Sequence, residues 1–427
     1  MTLKLLAAGA IAVVLSLTGC VTAETKPIPK IAAKQATVHI PEAELLDVGI
    51  RVFDPGIPKN LEGDEEALAK KRIYPDLRKA EARYMPTLLR ATLEETAQWG
   101  AVRVIPNSAD FVDVIVTGKV VDSNGGFMAV DISATDAAGR VWIKDKRYSS
   151  LVDLGAYKTQ ASLKARDPFQ NVYSQIANDL VAARDKLTAL DRENIRRVAS
   201  LKFAADLAPD AMAGMTAVDK NGITQVARLP AQGDPTLGRI ERIRERDTAV
   251  VDTVNDYYAS FAENMDDSYD SWRQTSFSEL EKEMRARSAA RTRTVLGAAA
   301  LIAAIFAPNS CSTYDSCRIN NAARTAGTMG GIAAVLSGIK KYADARVHAD
   351  ALKELTQSFQ AEVAPQVVDV EGHTLRLTGT AEDQYREWRK LLKQLYLEET
   401  GNAAAPPPAA PAPATTNTAA TPATPSS

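Results

Sequence analysis

The sequence predicts an α+β protein, in which an amino-terminal, mostly antiparallel sheet covered by helices precedes a region of long helices. Three observations support this fold class. Strand-like alternation of apolar residues is confined to residues 46–149, and helical spacing dominates after Asp191. A small ββα element is predicted near the carboxyl end. The 427 residues leave room for roughly two or three domains.

The composition argues against several classes of protein. Lys plus Arg (51) and Asp plus Glu (53) nearly cancel, giving a net charge of −2. Nucleic acid is therefore not an expected partner, because affinity for phosphate backbones needs clustered positive charge. Three cysteines and three histidines argue against zinc fingers, iron–sulfur sites and multi-histidine centres. We expect no metal site and no cofactor.

The first twenty residues have the pattern of an export signal. Met1–Lys4 carries one positive charge, and Leu5–Leu17 is an apolar run that spans about 20 Å, short of the roughly 30 Å hydrocarbon core. The run ends in Leu17-Thr18-Gly19-Cys20, which resembles the lipobox of bacterial lipoproteins. An ordinary signal peptide with an incidental cysteine is the alternative.

The lipobox resemblance implies a signal peptide over residues 1–19 and a palmitate-bearing, lipidated Cys20 as the first residue of the mature chain. Two or more acyl chains give stable anchoring. Val21 and Thr22 follow Cys20, with no aspartate to retain the protein in the inner membrane. The resemblance therefore implies attachment to the outer membrane, on its periplasmic side.

Both ends of the mature chain are predicted to lack fixed structure. Residues 20–42 contain prolines and lysines without apolar periodicity, and are expected to form an extended, flexible tether. Residues 401–427 are almost entirely Ala, Pro, Thr and Ser, so they are expected to be disordered.

Residues 43–190 are predicted to form an α/β domain of order β-α-β-β-β-β-α that folds independently. The predicted strands cover residues 46–53, 102–105, 112–121, 128–134 and 141–149, and the helices cover residues 78–98 and 168–187. The turns at Asp122–Gly126 and Asp136–Gly139 suit positive φ angles. Helices placed in this order are able to cover one side of the sheet.

This order resembles the amino-terminal α/β domain of TolB and the periplasmic domain of CsgG-like lipoproteins. The matching phrase consists of residues 112–120 and 128–134, followed by Asp136, Gly139, Arg140, Val141 and Trp142. The resemblance covers about a third of the chain and consists of strands and turns rather than a catalytic motif. It implies a cell-envelope protein, and a generic α+β sandwich is the alternative.

Residues 191–364 are predicted to be a helical domain. Apolar residues recur at helical spacing over residues 194–207, and again from Pro235 to Met284 with a break expected at Asp266–Ser268. The aromatic residues of the second stretch are expected in a core between helices. A partner-binding groove or a ligand cleft is the alternative.

An apolar helical hairpin is predicted over residues 295–339. Val295–Ala307 is wholly apolar or glycine, and small residues recur every fourth position from Ala322 to Gly338, which lets two helices approach closely. The loop between them holds Cys311 and Cys317, expected to form a disulfide in an exported protein. Burial within a soluble body and insertion into a membrane both remain open for this hairpin.

The last predicted element is a ββα unit over residues 365–400. Two short strands flank Glu371-Gly372, and Thr380–Glu398 is an amphipathic helix. Such a unit buries little apolar surface on its own. We therefore expect the helix to dock on an earlier element.

No catalytic motif emerges from the sequence. His39, His348 and His373 lie apart, and there is no nucleophile elbow, P-loop or dinucleotide fingerprint. We expect a non-enzymatic protein of the cell envelope that acts through protein–protein interaction, as an assembly or secretion accessory. The alternative is a homo-oligomeric, membrane-inserting or channel-forming lipoprotein that uses the hairpin 295–339. Its partners are then the outer membrane, reached through Cys20, and other envelope proteins.

Overall fold

The computed structural model describes residues 28–231, 233–306, 366–370, 373–377 and 380–400. The predicted signal peptide 1–19, Cys20, Cys311, Cys317 and residues 401–427 lie outside the described residues, as does the predicted hairpin beyond Phe306. Lipidation of Cys20 and the Cys311–Cys317 disulfide stay predictions. In the described ranges, no helix is long and apolar enough to cross a membrane.

Five strands form one mixed sheet, which confirms the predicted α+β class. They are β1 (Val48–Arg51), β2 (Val102–Ile105), β3 (Val114–Ser123), β4 (Phe127–Asp136) and β5 (Val141–Leu151). Their order across the sheet is β2-β1-β3-β4-β5. Strand β1 is parallel to β2 and β3, whereas β4 is antiparallel to both β3 and β5. The long ladders are thus antiparallel and the short ones parallel.

Seven helices and two small hairpins complete the described part. The helices are α1 (Glu65–Lys70), α2 (Pro75–Glu95), α3 (Gln160–Ala165), α4 (Gln170–Arg184), α5 (Ala189–Leu207), α6 (Pro235–Phe306) and α7 (Ala381–Glu399). The hairpins are β6–β7 (Thr216–Val218 and Thr224–Val226) and β8–β9 (Gln366–Val370 and His373–Leu377). The predicted order β-α-β-β-β-β-α is present, with two short helices, α1 and α3, that the sequence pattern did not predict.

Several helix boundaries differ from the sequence prediction. Helix α2 spans Pro75–Glu95 rather than 78–98, and α4 spans Gln170–Arg184 rather than 168–187. The Asp167 side chain accepts the Phe169 amide at 2.7 Å and also pairs with Arg273 of α6. Helix α6 runs through the expected break at Asp266–Ser268. Its acidic residues there are tied to the body, since the Tyr84 hydroxyl donates to Asp266 Oδ1 at 2.6 Å.

The two faces of the sheet have different surroundings. Val48, Ile50 and Val116 alternate on one face, where helices α2 and α4 cover them in the main apolar cluster. The other face carries Arg51 on β1 and Thr117 on β3, both half-buried. One face is therefore core, and the other is left to form a site.

Helix α6 crosses the body from one cluster to the next. Its first turns pack against α5 and α7 around Ile243, its middle packs on β2 through Val254, and Tyr269 then lies against α2. By covering β2, the helix shields an edge of the sheet that would otherwise offer unpaired backbone groups.

The β3–β4 turn is also a packing site for α6. Gly125 has a φ of +75°, as its place in the predicted turn requires. A Cβ atom at Gly125 would lie 2.4 Å from the Arg273 carbonyl oxygen, and one at Gly126 would lie 2.7 Å from Leu280 Cδ2. Glycine here allows close approach of the helix to the turn.

A buried ionic cluster fastens α6 to the body; we call it the Arg273 cluster (Arg273, Asp167, Asp270 and Tyr269). The Arg273 side chain is 2% exposed and pairs with Asp167 at 2.7 Å and with Asp270. Its guanidinium lies 4.4 Å from the centre of the Tyr269 ring, a cation–π contact. Two carboxylates and an aromatic face together replace the water that this cation loses.

Glu81 on α2 continues this buried network. It is fully buried and accepts hydrogen bonds from the Tyr269 hydroxyl (2.8 Å) and the Ser123 hydroxyl (2.5 Å). Burial raises the pKa of the Glu81 carboxyl, against the lowering effect of Arg78. Polar groups from α2, β3 and α6 therefore bond to one another in the interior, although Glu81 Oε2 and Arg78 Nη1 have no hydrogen-bond partner there.

These contacts bear on the predicted domain boundary at residue 190. Ile195 and Val198 of α5 belong to the same apolar cluster as the sheet, and Phe261 and Trp272 of α6 pack on α2. The predicted α/β domain thus shares its core with the predicted helical domain. As predicted, α7 docks on earlier elements, with Trp388 and Leu392 buried.

The predicted tether is not free along its whole length. From Pro29 to Ala36 the chain lies on α4 and on the end of α2, where the Ala36 amide donates to the Thr96 carbonyl at 2.8 Å. Asparagine side chains supply further bonds to this stretch. Residues 29–36 themselves show no apolar periodicity, and for that reason the sequence pattern predicts a flexible tether over residues 20–42.

We predict that Arg273→Met lowers the free energy of unfolding by about 3–5 kcal/mol at pH 7, because it leaves two carboxylates buried without their partner. The measurement is urea unfolding of the full chain carrying Cys20→Ser. Arg147→Met is the matched control, since Arg147 pairs with Asp131 at the surface and its side chain is 59% exposed. We expect a much smaller loss for the control, because a solvent-exposed ion pair contributes little to stability. Equal losses in both variants would contradict the role given to the Arg273 cluster.

Candidate functional site

A cleft of about 550 Å³ lies over the open face of the sheet. Its floor comes from alternate positions of β3 and β4, whose side chains share this face because of the two-residue period of a strand. Helix α5 and the loop between β2 and β3 form its walls. The lining residues include Arg51, Phe111, Ile115, Thr117, Ser133, Thr135, Lys202 and Ala205.

The charged groups at the cleft are paired with protein partners. Arg51 forms an ion pair with Asp110, and the Lys202 ammonium donates to the Ala137 carbonyl at 2.7 Å. Asp206 pairs with Lys393 at 2.8 Å and with Arg389, both on α7. The cleft thus presents fixed charges of both signs around a floor of hydroxyls and apolar side chains.

Residues 106–113 form one wall of the cleft, and contacts with helix α7 hold this wall in place. The Glu382 carboxylate accepts the backbone amides of Asn107 (2.7 Å) and Ser108 (3.2 Å). The Arg389 guanidinium lies 4.9 Å from the centre of the Phe111 ring and 4.8 Å from that of Phe203. The carboxyl-terminal helix therefore determines the position of a loop that lines the site.

A second cavity of about 180 Å³ lies on the other side of this loop. Asp47 and Asp113 line it, each directly before a parallel strand. The Asp47 carboxylate accepts the Ala101 amide at 2.8 Å, and the Asp47 amide donates to the Asp113 carboxylate at 2.9 Å. Two aspartates thereby tie together the starts of β1, β2 and β3.

Burial changes the acidity of Asp113. Its side chain is nearly enclosed, and burial raises the pKa of Asp113 from 3.8 to about 6, helped by the nearby charge of Asp47. The hydrogen bond from the Asp47 amide acts in the opposite direction. Arg196, 3.9 Å away, is too distant and too exposed to offset the burial.

The TolB-like phrase contributes both to the cleft and to a turn: Ile115, Thr117 and Ser133 lie on the cleft floor, whereas its last part, from Asp136 to Trp142, forms the β4–β5 turn. The Asp136 carboxylate accepts the Trp142 indole N–H and the Arg140 amide, both at 2.9 Å, and Gly139 has a φ of +90°. The phrase therefore has a structural reason, since Asp136 holds the β4–β5 turn closed.

The other residues singled out by the sequence do not meet at the cleft. His39 lines neither cavity, and His348 and the side chain of His373 lie outside the described part of the chain. The aromatic stripe of α6 is core, as predicted, with Tyr258, Phe261 and Trp272 buried. Across the described ranges, no three His, Cys, Asp or Glu side chains are grouped so as to hold a metal ion.

The cleft has only a weak signature in the sequence. Its floor residues Thr117, Ser133 and Thr135 are the polar half of the alternation in two strands, which is a detectable signal of an open face. The walls come from α5 and from the loop 106–113. Helix α7 holds that loop through Glu382, which lies 275 residues after Asn107 in the chain. No local pattern brings those segments together.

We predict that Asp113→Asn changes the pH dependence of stability. Because the folded pKa of about 6 lies above the unfolded 3.8, the Asp113 contribution to stability is present below about pH 4 and is lost as the pH rises through 6. Between pH 4 and pH 8 the variant should therefore gain about 3 kcal/mol relative to wild type. Urea unfolding across this range measures the difference.

Asp131→Asn provides the control of opposite sign. The hydrogen bond from Arg147 lowers the pKa of Asp131, so its contribution is present at neutral pH and is lost as the pH falls through its folded pKa. Asp131→Asn should therefore be destabilised relative to wild type at pH 7, and this difference from wild type should be smaller at pH 3. A pH profile of Asp113→Asn parallel to that of wild type would contradict the burial of an ionisable carboxyl at this position.

Known proteins provide no template for this arrangement. Comparison with protein-family models, with curated proteins and with solved structures finds no match to this chain. The resemblance to the TolB and CsgG-like α/β domains stays a prediction from the sequence pattern.

Proposed function

We propose that this protein is a lipid-anchored envelope protein on the periplasmic side of the outer membrane, and that it acts through contacts with other proteins as an assembly or secretion accessory. The cleft over the open face of the sheet carries this proposal. It combines an apolar and hydroxyl-bearing floor with fixed charges of both signs at its rim.

The paired charges favour recognition over chemistry. A general acid or base needs a proton-transfer group directed at the substrate, whereas Arg51, Lys202 and Asp206 are each engaged by protein partners. At the floor, the Ser133 hydroxyl is bonded to Asp145, which leaves the Thr117 and Thr135 hydroxyls and apolar side chains to face a ligand. Such a surface suits an extended protein segment, whose amides bond to hydroxyls while its side chains pack on Ile115 and Phe111.

A second candidate function is favoured by α6. This helix continues to Phe306 and so includes the wholly apolar run that begins at Val295. An apolar segment on a helix fastened to the body would suit a homo-oligomeric lipoprotein that inserts the hairpin 295–339 into a membrane.

Photocrosslinking in intact envelopes tests the proposal. We predict that benzoylphenylalanine in place of Thr117, on the cleft floor, gives one discrete adduct with a different envelope protein. The same group in place of Val218, a residue 68% exposed on β6, should give no such adduct. Introducing Ala205→Phe together with the Thr117 probe should abolish the adduct, because Ala205 lines the cleft and a ring there fills it.

Three results would contradict the first candidate. Equal adducts from both positions would mean that the contacts are unspecific, and an adduct that survives Ala205→Phe would place the partner outside the cleft. An adduct made only of copies of this chain would favour the oligomeric candidate.

A further inference from the structure

Two asparagines on one face of α4 bind the backbone of residues 29–36, which we call the docked segment. Asn171 Oδ1 accepts the Ile31 amide at 2.8 Å, while its Nδ2 donates to the Pro29 carbonyl at 3.0 Å. Seven residues later, Asn178 repeats the pattern with the Lys34 amide (2.8 Å) and the Ala32 carbonyl (3.0 Å). Two helical turns thus present two identical backbone clamps.

Further bonds extend the docking to both sides of these clamps. Arg166 donates to the Ile31 carbonyl at 3.3 Å, and Gln98 donates to the Lys34 carbonyl at 3.4 Å. Ala33 packs against the main apolar cluster. The segment is therefore held by side chains from three parts of the body.

Docking shortens the connection between Cys20 and the body. Nine peptide units separate Cys20 from Pro29, and fully extended they span about 30 Å. A tether that stayed free to Glu42 would contain 22 units and span about 75 Å. An acylated Cys20 would thus keep the body close to the membrane surface.

The docked segment and α6 leave the body at the same end. Pro29 lies beside Asn171 and Arg166, next to Asp167, which pairs with Arg273 of α6 at 2.7 Å. Tyr157 packs on Phe277 of α6 with ring centres 5.6 Å apart. We call this the turn end, because it contains the β3–β4 turn, where the Tyr157 hydroxyl donates a hydrogen bond to the Gly125 carbonyl.

The end of α6 and the chain from Pro29 to Cys20 can reach similar distances from the turn end. Helix α6 continues past Leu280 for 15 residues to Val295 and for 26 residues to Phe306, which is about 22 Å and about 39 Å of helix. The reach of about 30 Å from Pro29 to Cys20 falls between these values. An anchor inserted at Cys20 and the apolar run of α6 can therefore meet the same bilayer surface.

The side chains at the turn end suit a lipid surface. Lys30 and Lys164 are 68% and 69% exposed and pair with Asp153 at 3.9 Å and with Asp267 at 3.6 Å. Leu151, at the end of β5, is 61% exposed, and an exposed apolar side chain can enter the membrane interface.

We infer that the docked segment sets the orientation of the body on the membrane, with the turn end facing the bilayer. The inference rests on the proposed lipidation of Cys20. In this orientation the cleft faces away from the membrane. Asp136 and Ala137, which line the cleft, lie at the end of β4 opposite the β3–β4 turn.

Limited trypsin digestion tests the docking without any lipid. In the full chain carrying Cys20→Ser, cleavage after Lys30 and Lys34 should be slow. Adding Asn171→Ala and Asn178→Ala should raise its rate at least about tenfold, because four hydrogen bonds are lost. Asn171→Asp with Asn178→Asp keeps the acceptors and loses the donors, so an intermediate rate is expected. Ala182→Ser, at an exposed position on α4, is the control and should leave the rate unchanged.

Lysine acylation of the lipidated protein tests the orientation. The protein is reconstituted in vesicles of phosphatidylethanolamine and phosphatidylglycerol and treated with a water-soluble acylating reagent. Lys30 and Lys164 should be acylated more slowly than in the lipid-free chain. Lys220 should be unaffected, because the neighbouring Thr224 amide bonds to Ala138 in the β4–β5 turn at the opposite end.

Each failure has a separate meaning. Wild-type cleavage after Lys34 as fast as in the double-alanine variant would overturn the docked segment. Protection of Lys220 instead of Lys164 would overturn the orientation. A wild-type protein that does not acquire acyl chains, with the trypsin result intact, would refute the proposed anchoring and not the docking.

Discussion

The buried pairing of Arg273 with Asp167 and Asp270 is the interaction on which most of the architecture depends. A guanidinium that is 2% exposed cannot exchange its partners for water, so α6 stays where both carboxylates reach it. This places Tyr269 over Glu81 and Phe277 over the β3–β4 turn. The long helix is thereby part of the body that holds the sheet. Its register also determines where its later, apolar residues emerge.

The same constraint separates two ends of the molecule. At the turn end, α6 and the docked segment leave the body near each other, and the exposed Lys30 and Lys164 lie there, paired with Asp153 and Asp267. At the opposite end, α5 and α7 close around the loop 106–113 and leave the cleft open over the sheet. A membrane-anchored accessory needs this division, because the surface that meets a partner must face away from the surface that meets lipid. The proposed function and the orientation of the body thus depend on a single packing arrangement.

Much of the fold could be predicted from the sequence because its signals are local. Alternation in β3 and β4, the glycine turn at Gly125 and the amphipathic face of α7 each depend on neighbouring residues. The contacts that matter most for the site are not local. Asn171 recognises backbone atoms of Ile31 and Pro29, which any sequence offers, so the docking leaves no pattern in residues 20–42. Glu382 reaches Asn107 across most of the chain, and no spacing rule relates them.

Native-state hydrogen exchange tests most directly whether α6 and the sheet form one cooperative unit. The amides of α6 between Tyr258 and Trp272 would be compared with those of β3 between Val114 and Val120, in the full chain at increasing urea. If the Arg273 cluster joins them, both sets exchange at the same free energy, which equals that of global unfolding. Exchange of the α6 amides at a clearly lower free energy, while the β3 amides keep theirs, would show that the helix detaches alone and would contradict the shared core.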